Sequence, residues 1–207
     1  VHMSAIGANS ESEAEYGCSK ADGEAAVQRE FSGAVIVRPS IIFGQDDAFF
    51  NRFAKMARMS PVLPLIGGGQ TKFQPVHVGD VAEAIALGIS GELEAGSTYE
   101  LGGPDVRTFK ECLELMLSIT QRKRLLASIP WGLAEFKGRV LGMLPNPPLT
   151  RDQVLMLKQD NVVSAEAKEV GDLDIAINFA SVTILPEDHI YADSTGIVLS
   201  AEPLDLE

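Results

Sequence analysis

Apolar positions along this chain follow two different periods. Ala34-Val35-Ile36-Val37 is a continuous apolar run of strand length, stopped by Arg38-Pro39. Such a run marks a strand covered on both faces, as in a parallel sheet. Val1 to Ile6 reads as a second short buried strand ending in small residues. Between them lie a polar, Glu- and Ser-rich loop from Gly7 to Glu15 and a stretch through Tyr16, Lys20, Ala21, Ala25, Ala26 and Val27 that is predicted to be helical. Strand, helix, strand in that order predicts an α/β fold built on a doubly wound parallel sheet. Ser4 then falls at the carboxyl end of a strand, where open α/β sheets bind ligands.

The same periods carry further along. Ala48 to Met59 places Phe49, Phe50, Phe53, Met56 and Ala57 at helical spacing, and Ser60-Pro61 ends that helix. Leu65 to Gln70 reads as a hairpin turn with glycines supplying positive φ; no Lys-Ser/Thr follows it, which argues against a phosphate loop. Phe73 to Val78 alternates like a strand, and Asp80 is placed to cap the helix of Val81, Ala84, Ile85 and Leu87. His77 is expected to be packed and hydrogen-bonded rather than catalytic. Ser97 to Leu101 is another strand, and Arg122 to Ile129 a short basic edge strand. Thr108/Glu111 and Thr150/Gln153 have capping-box spacing. Trp131 to Leu144 is amphipathic, and Pro145 to Pro148 breaks the chain.

Composition narrows the function classes. The 207 residues are 45% apolar with a net charge of −12. Residues 165–207 hold ten acidic residues and one basic, so the body before them is nearly balanced. No basic patch points to nucleic acid. Two distant cysteines and three histidines out of ligand spacing argue against a disulfide framework or a metal site and suit a reducing, cytoplasmic setting. No apolar run reaches the ~18 residues of a membrane span.

Tyr16 and Lys20 are the candidate chemistry. Four residues apart on a helix, they share a face. An ammonium nearby favours the phenolate and is expected to lower the Tyr16 pKa. A phenol so tuned can give a proton to a carbonyl or take one from an alcohol.

Ser4, Tyr16-x-x-x-Lys20 and Val37-Arg38-Pro39-Ser40-Ile41-Ile42-Phe43-Gly44, followed by Phe73 to Ala82 and Tyr99 to Gly103, resemble the second half of an extended short-chain dehydrogenase/reductase. The wording is most similar to the atypical branch that includes bacterial relatives of the alpha subcomplex subunit 9 of complex I, over about residues 1–164. The resemblance implies a C-terminal part of a Rossmann-type fold with a small, mainly helical substrate lobe. It implies that Tyr16 is the acid/base, that Lys20 tunes it and binds the nicotinamide ribose, and that Ser4 orients the substrate oxygen. Pro39, Ser40 and Ile41 would lie beside the nicotinamide of NAD or NADP, and Phe49, Phe50 and Phe53 would cover the substrate.

On this reading residues 1–45 and 70–104 form the nucleotide-binding half, 46–69 and 105–164 the substrate lobe, and 165–207 an acidic terminal segment. The family pattern fails from about residue 187, which suggests a foreign or misread terminus. The glycine-rich pyrophosphate turn of the family is absent from this chain, so the chain is expected to be a fragment that binds dinucleotide weakly by itself. Two function classes follow. One is an NAD(P)-dependent oxidoreductase or epimerase/dehydratase acting on a small hydroxyl or carbonyl compound. The other is a non-catalytic dinucleotide-binding subunit of a respiratory or quinone-related assembly, peripheral to the inner membrane. A sugar-nucleotide epimerase is less favoured, because Phe49 to Met59 offers few polar groups beyond Arg52 and Arg58.

Overall fold

The computed structural model describes residues 1–142 and 149–167, with the backbone of four short strands at 177–179, 182–184, 189–192 and 197–200. The expected break at Pro145 to Pro148 and most of the acidic terminal segment lie outside the described residues. The chain divides into two compact units, Val1–Glu169 and Val170–Glu207.

The first unit runs β1 (His2–Met3), α1 (Glu15–Glu30), β2 (Ile36–Pro39), β3 (Ile42–Phe43), α2 (Phe50–Met59) and β4 (Val62–Ile66). It continues through β5 (Lys72–Phe73), β6 (Val76–His77), α3 (Val78–Ser90), β7 (Thr98–Leu101) and β8 (Arg107–Thr108). It closes with α4 (Phe109–Ile119), β9 (Leu125–Ile129), α5 (Trp131–Leu141) and α6 (Arg151–Met156). In the second unit Ile177–Phe179 pairs antiparallel with Val182–Ile184, and His189–Ala192 with Ile197–Ser200.

β2 is the centre of an all-parallel sheet ordered β1-β2-β7, with His2 opposite Ile36 and Ile36 opposite Thr98. Its continuous apolar character has the expected cause: Ile36 and Val37 are fully buried, and Ala34 and Val35 nearly so. Parallel neighbours need crossover connections, which α1 supplies between β1 and β2. Two further parallel pairs, β3-β6 and β4-β9, and one antiparallel pair, β5-β8, complete the unit.

Its principal apolar cluster joins α2, β4 and α4 through Ala57, Leu63, Leu65, Phe109, Cys112, Leu113 and Met116. The α4 cap explains why that helix begins where it does. The Thr108 hydroxyl accepts from the Glu111 N–H at 3.2 Å, and the Glu111 carboxylate accepts from the Thr108 N–H at 2.7 Å. The same reciprocal box opens α6 at Thr150 and Gln153.

Three local expectations need correction. The glycine run is no hairpin turn: Gly67–Gly69, all at positive φ, make a short kinked turn between β4 and β5, strands that pair with β9 and β8 instead of each other. Positive φ is indeed used there, and at Gly67 space is decisive too, since a Cβ would lie 2.0 Å from the Trp131 ring. The stretch from Phe73 to Val78 is split between two strand pairs by Gln74-Pro75, because Pro75 has no N–H for a ladder. The α3 helix starts at Val78, ahead of Asp80; His77 occupies the cap, its Nδ1 accepting from the Gly79 N–H at 3.2 Å.

Candidate active site

The carboxyl ends of β1 and β2 and the first turns of α1 enclose a cavity of about 590 Å³. Ser4, Tyr16, Lys20, Pro39, Ser40 and Ile41 all line it. Six positions picked from the sequence thus share one space, although 37 residues of chain separate the first from the last.

Each is placed by an identifiable contact. Ser4 follows β1, with its N–H donated to the Val37 carbonyl at 2.8 Å. Its side chain is buried, and Oγ has no hydrogen-bond partner of normal geometry. It lies close enough to the Glu24 carboxylate to help keep that group ionised. Tyr16 and Lys20 do lie on one face of α1, and Lys20 Nζ stands 5.6 Å from the centroid of the Tyr16 ring. Gly17, the next residue, lets the preceding loop close on the helix: a Cβ there would meet Ser12 Oγ at 2.7 Å.

The expected lowering of the Tyr16 pKa is not found. Tyr16 is 40% exposed, and the partial burial of its phenol raises the pKa, because the ionised form loses hydration. The ammonium lies over the ring. The phenol is therefore protonated at neutral pH, as a free phenol also is.

One turn further along the same face, Glu24 is buried and meets Arg38 of β2 in a two-pronged pair of 2.8 and 2.6 Å. Burial pushes the Glu24 carboxyl up, but the hydrogen bonds and charge of Arg38 outweigh it, with smaller help from Ser4 and His2, and hold it below the usual carboxylate range. Glu100 of β7 approaches Arg38 from the other side at 3.8 Å. The cluster locks α1 to the sheet beneath Tyr16 and Lys20.

Two residues of this site escape a reading of the sequence. Asn161 lines the cavity and joins three segments: its Oδ1 accepts from the Ile41 N–H at 3.0 Å, and its Nδ2 donates to the Ile6 carbonyl at 3.2 Å. Ser40 Oγ lies 2.7 Å from Asn161 Oδ1 and 2.8 Å from its carbonyl oxygen, so the Ser40 hydroxyl is committed to the protein. Asp152 is the second, capping α1 from a distant segment. The only hint of either in the sequence is the Thr150/Gln153 capping box, which places both just inside or after a helix.

Phe49, Phe50 and Phe53 do not cover this cavity. Phe49 and Phe53 pack on Phe109 at 6.0 and 5.3 Å between centroids and join the principal apolar cluster. Phe50 lines a neighbouring cavity of about 570 Å³. A helical apolar stripe faces the largest apolar surface available, here α4 and β5, ahead of a solvated cleft. Among the described residues no group of three or more His, Cys, Asp or Glu could hold a metal ion, and no helix is long and apolar enough to cross a membrane.

Solved structures define the class of fold. A dTDP-glucose 4,6-dehydratase of Bacillus anthracis in complex with NAD superposes with a TM-score of 0.53 at 19% identity, over 62% of this chain and 48% of that one. A dTDP-glucose 4,6-dehydratase of Streptomyces venezuelae with NAD bound gives 0.53 at 23% identity, over 62% and 46%. The chain shares the mixed α/β, parallel-sheet fold of these two dehydratases.

Sequence relatives are narrower. The chain is 35% identical over 84% of its length to the mitochondrial NADH dehydrogenase (ubiquinone) 1 alpha subcomplex subunit 9 of Arabidopsis thaliana, of which it covers 46%. To the protein of the same name from Rattus norvegicus it is 30% identical, over 92% of this chain and 52% of that one. It therefore spans about half the length of the curated relatives it matches. A family model described as RraA-like, Aldolase/RraA, matches residues 152–199.

Proposed function

We propose that the cavity at the β1 and β2 tips is the nicotinamide end of an NAD(P) site and that Tyr16 and Lys20 serve carbonyl–alcohol chemistry there. The convergence of Ser4, Tyr16 and Lys20 on one cavity at the strand tips carries this reading. Lys20 and the Pro39–Ile41 segment would hold the nicotinamide and its ribose. The dinucleotide, when bound, supplies or accepts a hydride. Tyr16 then gives a proton from Oη to the substrate oxygen, with Ser4 Oγ orienting that oxygen. Residues 46–69 and 105–164 act as the substrate lobe.

Calorimetric titration of the full-length protein with NADH and NADPH, with hydride transfer followed over a panel of carbonyl compounds, tests this. Tyr16→Phe is expected to keep dinucleotide affinity and to lose turnover by about a hundredfold. A turnover unchanged by Tyr16→Phe refutes the acid/base role.

A second reading, a dinucleotide-binding accessory subunit of a respiratory assembly, is favoured by the sequence relatives. It predicts dinucleotide binding with no substrate turned over and co-purification with a respiratory complex. Mass spectrometry of the native protein finding a peptide from 193–207 in the source organism removes the idea of a foreign terminus.

A further inference from the structure

The second cavity, of about 570 Å³, adjoins the first, and Phe43, Gly44 and Asp47 line both. Its size lies within the range of about 300–1,000 Å³ typical of small-molecule sites. Phe50 and Ala54 of α2 face it from one side, and Leu115, Met116 and Ile119 of α4 from another.

Most of its polar side chains already have a partner. The Asp47 carboxylate accepts from the N–H groups of Phe50 and Asn51 at 2.5 and 3.2 Å. The Asn51 amide donates to the Gln45 carbonyl at 2.9 Å, and the Thr120 hydroxyl to the Met116 carbonyl at 2.8 Å. His77 Nδ1 accepts from Gly79, and the His77 ring packs against Phe43 at 5.3 Å. Arg107, the cation at the mouth, is paired with Asp105 at 2.6 Å.

A nucleoside diphosphate brings two negative charges that need charged or N–H partners when removed from water. These walls offer it a single cation whose charge is already met. They suit an uncharged apolar body, for which burial is favourable without any polar partner. We infer that this chamber seats the apolar body of the substrate, an aliphatic or aryl ketone or aldehyde, with its carbonyl reaching Ser4 and Tyr16 past Phe43. The carbonyl part of this inference rests on the function proposed above; the apolar chamber stands apart from it.

The full-length protein is loaded with Nile red, and the dye is displaced with a ten-carbon methyl ketone or with UDP-glucose. The ketone is expected to displace it, and UDP-glucose at equal concentration is not. Ala54→Trp fills the chamber and Leu115→Glu puts a charge in its wall. Each is expected to weaken ketone binding about tenfold. A thermal scan checks each variant's fold; should Ala54→Trp not fold, the half-exposed Leu115→Glu decides. No dye binding, displacement by UDP-glucose, or ketone binding untouched by both wall variants overturns the inference. Ketone binding without hydride transfer leaves the chamber standing and sinks the proposed reaction. Hydride transfer confined to sugar nucleotides does the reverse.

Discussion

Asp152 holds the backbone of Tyr16. Its two carboxylate oxygens accept from the N–H groups of Glu15 and Tyr16 at 2.6 and 3.3 Å, across more than 130 residues of sequence. The cap position of α1 is Ala14, whose side chain offers no acceptor, so Asp152 supplies what the local sequence omits. Its negative charge also sits at the positive end of the helix. Asp152→Ala is expected to cost about 1 kcal/mol in urea denaturation and to speed amide exchange in the first turn of α1. Asp152→Asn should retain most of that stability. An unchanged midpoint and exchange rate in Asp152→Ala would show that the contact contributes nothing.

Asn161 is the second clasp. Asn161→Ala leaves the Ile41 N–H and the Ile6 carbonyl without their partner, at about 3 kcal/mol for the two. Asn161→Asp keeps the acceptor for Ile41 and Ser40 but removes the donor to the Ile6 carbonyl, so it should recover only part of that loss in urea denaturation. An Asn161→Ala midpoint equal to the wild type's counts against the geometry.

The Glu24–Arg38 pair sets an acid limit on stability. With its pKa lowered in the fold, Glu24 stabilises above its unfolded value of about 4.3, and that stability is lost as pH falls through the lower folded value. Glu24→Gln should flatten this part of the pH–stability curve. Glu24→Ala leaves Arg38 with only Glu100, and the loss is expected to be roughly 3 kcal/mol. If Glu24→Gln keeps the wild-type acid slope, other carboxylates govern it.

The two thiols should separate cleanly. Cys112 is fully buried in the α4 core, and burial pushes its pKa up to about 11. Cys18 is partly exposed, with Sγ 3.1 Å from the Ser12 carbonyl. A thiol reagent at pH 8 is expected to label Cys18 in the native protein and Cys112 only in denaturant. Rapid native labelling of both would mean that the α4 core opens readily.

Much of the framework was legible because its causes are local. The apolar run 34–37 predicts a strand buried on both faces, and Ile36 and Val37 are so buried. Four-residue spacing put Tyr16 and Lys20 on one face, and both capping boxes form where their residue pairs stand. What escaped depends on burial or on distant partners. A cation four residues away is visible in a sequence, whereas the desolvation that raises the Tyr16 pKa is not. An aromatic stripe announces a buried face without saying what buries it, so Phe49 and Phe53 went to Phe109. Asn161 and Asp152 act across more than a hundred residues, and only the fold brings them to the site.

The central claim is that Lys20 and Tyr16 border a nicotinamide site. Calorimetric titration of full-length wild type and Lys20→Met with NADH and NADPH tests it most directly, since the substitution removes the cation and keeps the stem. The account predicts an affinity at least about tenfold weaker, a loss of about 1.4 kcal/mol, with an unchanged thermal midpoint. Equal affinities in the two proteins would contradict it.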